Sequence, residues 1–355
     1  MRESVRPGKA TSARTPFAAR HDAMRSFFRT HWKAIVAIIL LALLAMATVN
    51  PSAAMHDPSL SARLRTHVEA IASQEHNTAT PQALEQAAGY IENVLESEGY
   101  RIRRQAYEAG GQTVRNIEVS VANVAPGAKP ARIFIVGAHY DSAPGAPGAN
   151  DNGSGSAAVL ELARLLKSLR PSQGTEVKFV FFVNEEPPWF RGEEMGSVRH
   201  ARQLHAEGHH VEGALILETI GYYSQARHSQ QLPPGLEKRY PDTGRPDAGN
   251  FIAFVGTLES SRLVQDALSA FQAASDFPAR GLAAPAYVQG VTLSDHASYN
   301  RFGYPAIMIT DTAFMRYPYY HTAQDTPDKL DYDSVARVVD GLARTIRALA
   351  AGAQT

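Results

Sequence analysis

The chain has no cysteine. That absence removes disulfides, thiolate metal sites and a cysteine nucleophile, so any bound metal must be held through nitrogen and oxygen. Net charge is missing as well, with 35 Lys and Arg set against 35 Asp and Glu. The balance is uneven: positions 1–33 carry 8 of the bases and 2 of the acids, which leaves 27 bases and 33 acids beyond them. A mildly acidic body lacks the basic footprint of a nucleic-acid binder, so no nucleic-acid partner is expected. What the chain does have is histidine, 13 residues of it, and 355 residues at 44% apolar content. That is enough for one large α/β domain with appendages, or for two small domains.

Residues 1–33 are basic, dotted with Ser and Thr and without apolar periodicity, and are expected to be a cytoplasmic tail. From Ala34 to Val49 no residue is charged and Ile, Leu, Ala and Val dominate. With Trp32 at one edge and Thr48 to Asn50 at the other, the 34–50 segment reads as a membrane anchor; the alternative is the apolar core of a signal peptide cut near Ser52 to Ala54. Either way the positive-inside rule sends the chain beyond Pro51 out of the cytoplasm, to a periplasmic or extracellular location, single-pass if anchored or secreted if cleaved.

Helical spacing of Leu60, Leu64, Val68 and Ile71 predicts a helix over 58–73, and a second fits Pro81 to Ser97, with Pro at its start and Gly99 after its end. Strands are expected at 101–107, 114–124, from Ile133, 177–183, 214–217, 251–255 and 304–309. Helices are expected up to Leu169 and over 196–206, 260–274 and 332–350. This alternation is the mark of an α/β domain, and the nearly all-apolar 177–183 suits a parallel strand buried on both faces. A Pro-, Gly- and charge-rich loop spans Tyr223 to Asn250.

The chemistry collects after the strands. His139, Asp141 and Asp151 follow one strand, Glu185 and Glu186 a second and Glu218 a third, and a fourth leads on to His321. Side chains repeatedly placed after parallel strands share one edge of a sheet, where α/β folds build their sites. Two His with several carboxylates suit Zn²⁺, Mn²⁺ or Co²⁺, with enough ligands for two ions bridged by one carboxylate. Glu185 and Glu186 cannot point the same way from an extended strand end, so one can bind metal while the other acts as a base. Asp141, two residues from His139, is placed to orient its imidazole. His205, His209 and His210 lack arranged carboxylate partners and read as a solvated helix end. Trp189 and Phe190 are candidate pocket walls. Gly153, Gly155 and Ala158 satisfy a dinucleotide fingerprint, but His139, Asp141 and Asp151 intervene between the strand and the glycines, which that fold does not allow.

The segments GAHYDS, GANDNGSG, FFVNEEPP, LILETIGYY, SDHASYNRFGYPAIMITDT and YYHTAQDTPDKLD, in this order between about Thr80 and Leu349, resemble the M28 zinc metallopeptidase family. The resemblance implies a domain over 56–352 with a three-layer α/β/α sandwich around a mixed, mostly parallel sheet, the zinc-exopeptidase-like phosphorylase/hydrolase fold. It implies two zinc ions: Asp151 bridges them, His139 and Glu218 hold one, and Glu186 and His321 hold the other. Glu185 would be the general base and Asp141 the orienter of His139, with a cis peptide between Asp151 and Asn152. Glu218 departs from the family, which more often has Asp there, and its extra methylene is expected to alter the affinity or spacing of the second ion. Asp295 and His296 are expected beside the ligands, and Tyr299 or a tyrosine of the 317–320 cluster as an assisting group. The implied activity is aminopeptidase hydrolysis of peptides with a free N-terminus. Two alternatives share the fold: a glutaminyl cyclase with a single zinc, and a non-catalytic receptor-like ectodomain.

Overall fold

The computed structural model describes residues 59–234, 236 and 246–351. The chain separates into two units, Met1–Asp57 and Pro58–Thr355. The tail and apolar segment expected at 1–33 and 34–50 lie outside the described residues. Among those described, no helix is long and apolar enough to cross a membrane.

Two helices come first, α1 (Leu60–Ile71) and α2 (Pro81–Ser97). The Ser59 hydroxyl accepts from the Ala62 amide at the start of α1, replacing a partner that the first turn of a helix lacks. α2 carries Pro at its N-terminus and is followed by Gly99 at φ +76°, a left-handed position that glycine takes without strain. Then come β1 (Arg103–Ala109), β2 (Gln112–Asn123), β3 (Arg132–His139), α3 (Gly155–Leu166), β4 (Thr175–Phe182), α4 (Gly196–Ala206), β5 (Val211–Glu218), β6 (Ile252–Thr257), α5 (Ser261–Ala274), β7 (Ala279–Ala284), α6 (His296–Arg301), β8 (Ala306–Thr310) and α7 (Tyr332–Ala351). β7 and α6 are additions to the elements expected from the sequence. The others shift by a few residues at most.

All eight strands form one sheet in the order β1-β2-β4-β3-β5-β8-β6-β7. β4, β3, β5 and β8 run parallel, while β2 and β6 flank this block antiparallel to it. Side-chain alternation along the strands makes two cores. Phe134, Val136, Phe179 and Leu217 face α1, α2, α3, α5 and α7. Ile133, Ile135, Val180 and Phe182 face α4 and α6. The result is the three-layer α/β/α sandwich around a mixed sheet. Seven of the eight β3 residues are buried, as befits a central parallel strand covered on both faces. Consequently β3, β4, β5 and β8 all deliver their C-terminal ends to one edge of the sheet.

Candidate metal and active site

That edge gathers every residue the sequence singled out as ligand or base. His139 is the last residue of β3 and Glu218 the last of β5. Glu185 and Glu186 follow β4, where Asn184 at φ +63° turns the chain. Asp151 sits in the turn 149–154 that leads into α3, and its peptide bond to Asn152 is cis. His321 arrives from the segment after β8.

Asp151 lies at the centre. Its Oδ1 is 3.3 Å from His139 Nε2 and its Oδ2 is 2.9 Å from His321 Nε2. Glu218 Oε2 stands 3.3 Å from His139 Nε2, and Glu186 Oε1 stands 3.2 Å from His321 Nε2. Glu185 Oε2 is farther, 3.9 Å from His139 Nε2. Three overlapping groups result, His139 with Asp151 and Glu218, His321 with Asp151 and Glu186, and His139 with Glu185 and Glu186. All but His321 are buried, and His321 is at the rim.

The arrangement fits a divalent cation. His139 Nδ1 donates to the main-chain carbonyl of Asp141 at 3.0 Å, which leaves the Nε2 lone pair aimed at two carboxylates. His139 Nε2, Asp151 Oδ1 and Glu186 Oε1 are buried and have no hydrogen-bond partner among the described residues. Such atoms are costly to bury unless something bonds to them. Burial pushes the Glu218 carboxyl up to about 8, with the Asp151 charge reinforcing it, and pushes Glu186 up to about 7 for the same two reasons. Glu185 is also raised, by burial against the opposing pull of His139, with Glu186 and Glu218 adding to the rise. A cation among these groups reverses that preference and favours the ionised carboxylates. With nitrogen and oxygen donors only, the set suits zinc-type ions.

Supporting residues hold the ligands from several directions. The Asp141 carboxylate accepts from the amides of Glu185 at 3.1 Å and Glu186 at 3.2 Å, while its Oδ1 is 3.6 Å from His139 Nδ1. Asp141 thus lies against His139 Nδ1 through its carbonyl, with its carboxylate close by, and its side chain also fixes the Glu185–Glu186 pair. Asp325, which no sequence pattern singles out, accepts from the amides of Asn150 and Asp151 and from the Tyr317 hydroxyl. Beside Thr-Pro it has the look of an ordinary turn acid. Asp311, also unforeseen, accepts from Asn150 Nδ2 and from the Tyr222 amide. Asn152 Oδ1 accepts from the Gly155 and Thr219 amides, and a Cβ on Gly155 would come within 2.2 Å of that oxygen. The glycines weighed as a phosphate cradle therefore let the turn close against β5. The Ser294 hydroxyl donates to Glu218 Oε2 at 2.7 Å.

Other expectations divide. Asp295 is fully buried near Glu185, His139 and the Ser197 side chain, and burial raises its carboxyl against the pull of His139 and Ser197. His296 is likewise buried and bonds the Val291 carbonyl. Tyr299 does not face the site: its hydroxyl is 2.7 Å from His200 Nδ1 behind the sheet. Of the 317–320 cluster, Tyr317 is tied to Asp325, while Tyr320 stacks on His321 with ring centroids 3.9 Å apart. Trp189 bonds Thr78 and packs on the core, and Phe190 lines a separate surface hollow with Arg191 and Met195; neither lines the cavity beside the ligands. His209 and His210 pair with Glu207 and Glu212 near the start of β5, at the opposite edge of the sheet, and His205 packs on Phe302. Beside Glu218 and Tyr320 opens a largely apolar cavity of about 110 Å³, walled by Phe251, Val255, Met308 and Phe314 among others.

Comparison with known proteins agrees with this geometry. The family description "Peptidase family M28" matches residues 120–346. The protein YfbL of Escherichia coli K12 is 41% identical over 268 residues, 73% of this chain and 78% of that protein. A probable leucine aminopeptidase 1 of Trichophyton verrucosum is 30% identical over 226 residues, 60% of this chain and 53% of the fungal protein. The chain therefore spans about half the length of that relative. Among solved structures, the aminopeptidase from Aneurinibacillus sp. strain AM-1 shares the fold with a TM-score of 0.60 at 16% identity, covering 81% of this chain and 93% of that one. Glutaminyl cyclases share it too, the Porphyromonas gingivalis protein with a TM-score of 0.58 at 19% identity over 81% of this chain and 97% of that one.

Proposed function

The chain belongs to peptidase family M28, whose members are metal-dependent hydrolases acting on peptide bonds, and on that premise we propose that it removes N-terminal residues from peptides with a dinuclear zinc site. One ion would be held by His139, Asp151 and Glu218, the other by His321, Asp151 and Glu186. The observation that carries the reading is the Asp151 carboxylate, with one oxygen turned to each histidine. When bound, zinc supplies Lewis-acid polarisation of a carbonyl and lowers the pKa of water toward ~7.

The chain's own groups do the rest. Glu185 stands 3.9 Å from His139 and makes no close approach to His321, so its carboxylate is free to take a proton from the attacking water and pass it to the departing amine. Asp141 fixes the Glu185 and Glu186 backbone, so the base keeps its position while its neighbour serves as a ligand. The buried carboxylates of the site supply counter-charge for the substrate's free α-amine. The convergence of both His139 and Glu218 on Asp151 supports two ions over the single zinc of a glutaminyl cyclase, and no ligand position is lost, which speaks against a non-catalytic receptor. The basic 1–33 and apolar 34–50 segments support a catalytic domain carried outside the cytoplasm on an N-terminal anchor.

Metal counting joined to a substrate panel tests this reading. About two zinc per chain and chelator-sensitive release of residues from aminoacyl amides are expected. Turnover of N-blocked substrates with none of any free-amine substrate would reject the aminopeptidase assignment.

A further inference from the structure

The floor of the cavity beside the ligands can be followed strand by strand. Glu218 on β5 is in register with Thr310 on β8, Thr310 with Ala253 on β6, and Ala253 with Arg280 on β7. Residues in register project to one face of a sheet, and all four line the cavity. At a strand spacing of ~4.8 Å, three steps place the Arg280 backbone about 14 Å from that of Glu218. The next row along that face, Met308, Val255 and Leu282, also lines the cavity. The trough thus begins at a metal-ligand candidate, crosses an apolar floor and ends on a guanidinium.

Among the described residues, little neutralises Arg280. No carboxylate pairs with it among the described residues, and Glu218 is the only acid among the described residues that line the cavity. Its guanidinium lies 5.3 Å from the centroid of the Phe251 ring, a cation–π contact that holds it against the cavity wall.

We propose that Arg280 is a specificity-determining residue: the side chain of the substrate's N-terminal residue lies along this trough, apolar chains settle on Met308, Val255 and Leu282, and the positive charge at the far end turns away long cationic chains. The proposal rests on the aminopeptidase reading above. Norleucine and lysine isolate the effect, because they share a carbon chain and differ in the terminal ammonium. Like charges about 10 Å apart at a partly solvated mouth shift a rate ratio by roughly 2- to 15-fold, and reversing one of them squares that factor.

The test is kcat/KM on norleucyl and lysyl 4-nitroanilides for the zinc-loaded wild type, Arg280→Gln and Arg280→Glu at low salt. The norleucine-to-lysine ratio is expected to fall in that order, by roughly 4- to 200-fold from wild type to Arg280→Glu, and the difference should shrink as salt is added. Because the readout is a ratio within each protein, a general loss of activity cancels. Ratios equal within about twofold across the three proteins would overturn the proposal while leaving the aminopeptidase reading intact. Absence of turnover on every free-amine substrate in the wild type would instead reject the aminopeptidase reading, and this proposal with it.

Discussion

Two buried clusters of charge lie on this sheet, and they are built on opposite plans. On the face covered by α4 and α6, the Glu118 carboxylate receives Lys178 Nζ at 2.7 Å on one oxygen and His200 Nε2 at 2.7 Å on the other, and His200 in turn meets the Tyr299 hydroxyl. Each of these buried groups has a partner. At the sheet edge, His139 Nε2, Asp151 Oδ1 and Glu186 Oε1 have none among the described residues. The electrostatics follow: Glu118 is held well below the usual carboxylate range because its bonds to His200 and Lys178 outweigh the opposing effect of burial, whereas burial pushes Glu186 and Glu218 above it. A cluster that closes on itself is a structural clamp. One that leaves lone pairs facing each other is shaped for something the polypeptide does not provide.

The contrast can be broken at either cluster. Glu185→Gln at the sheet edge should lower kcat by roughly 10²- to 10⁴-fold, the range for loss of a general base, while zinc per chain by elemental analysis stays at the wild-type value. Unchanged turnover would remove Glu185 from its proposed role. Glu118→Gln should do the reverse, leaving the metal count alone but costing about 1 to 3 kcal/mol in denaturant unfolding, because Lys178 loses its closest carboxylate and keeps only Glu176 at 3.5 Å. A variant as stable as wild type would show that the second cluster is not a clamp. Asp141→Asn joins the two behaviours: one amide acceptor becomes a donor facing the Glu185 or Glu186 N–H, and zinc affinity in a competitive chelator titration should fall about 10- to 100-fold. The smallest effect concerns acid. Since the folded-state pKa of Glu118 is depressed, its contribution to stability is present above about pH 4.5 and is lost as pH falls toward the folded value. Wild type should therefore lose stability below about pH 4.5 more steeply than Glu118→Gln, and parallel curves would contradict the sign.

The sheet-edge residues were legible because each follows a buried apolar strand, and a run such as VKFVFF ending in Asn-Glu-Glu is hard to read as anything but a strand delivering acids to an edge. The central strands and the amphipathic helices were legible for the same reason of period. β7 was not. Its sequence, ARGLAA, has no β-branched residue, contains glycine and lies at the edge of the sheet, where pairing with β6 rather than propensity makes it a strand. Tyr299 is expected at the site only from its neighbourhood in the sequence, but α6 carries its ring behind the sheet, onto His200. Asp325 and Asp311 stand inside two of the quoted segments, yet their roles were not legible, for another reason. Their function is to accept main-chain amides from the Asn150–Asp151 turn and from Tyr222, and nothing local marks a carboxylate whose partner lies far away in the chain.

That distance has a consequence in time. The amides of Asn150 and Asp151 are bonded by a carboxylate 175 and 174 positions later, and His321 comes from the same late segment. A chain emerging N-terminus first exposes His139, Asp151, the two glutamates after β4 and Glu218 well before Asp325 and His321. Until then the central carboxylate lacks both the acceptor that fixes its backbone and the imidazole that faces its second oxygen. The site is thus complete only once the segment carrying Asp325 and His321 has docked on the turn at 149–154.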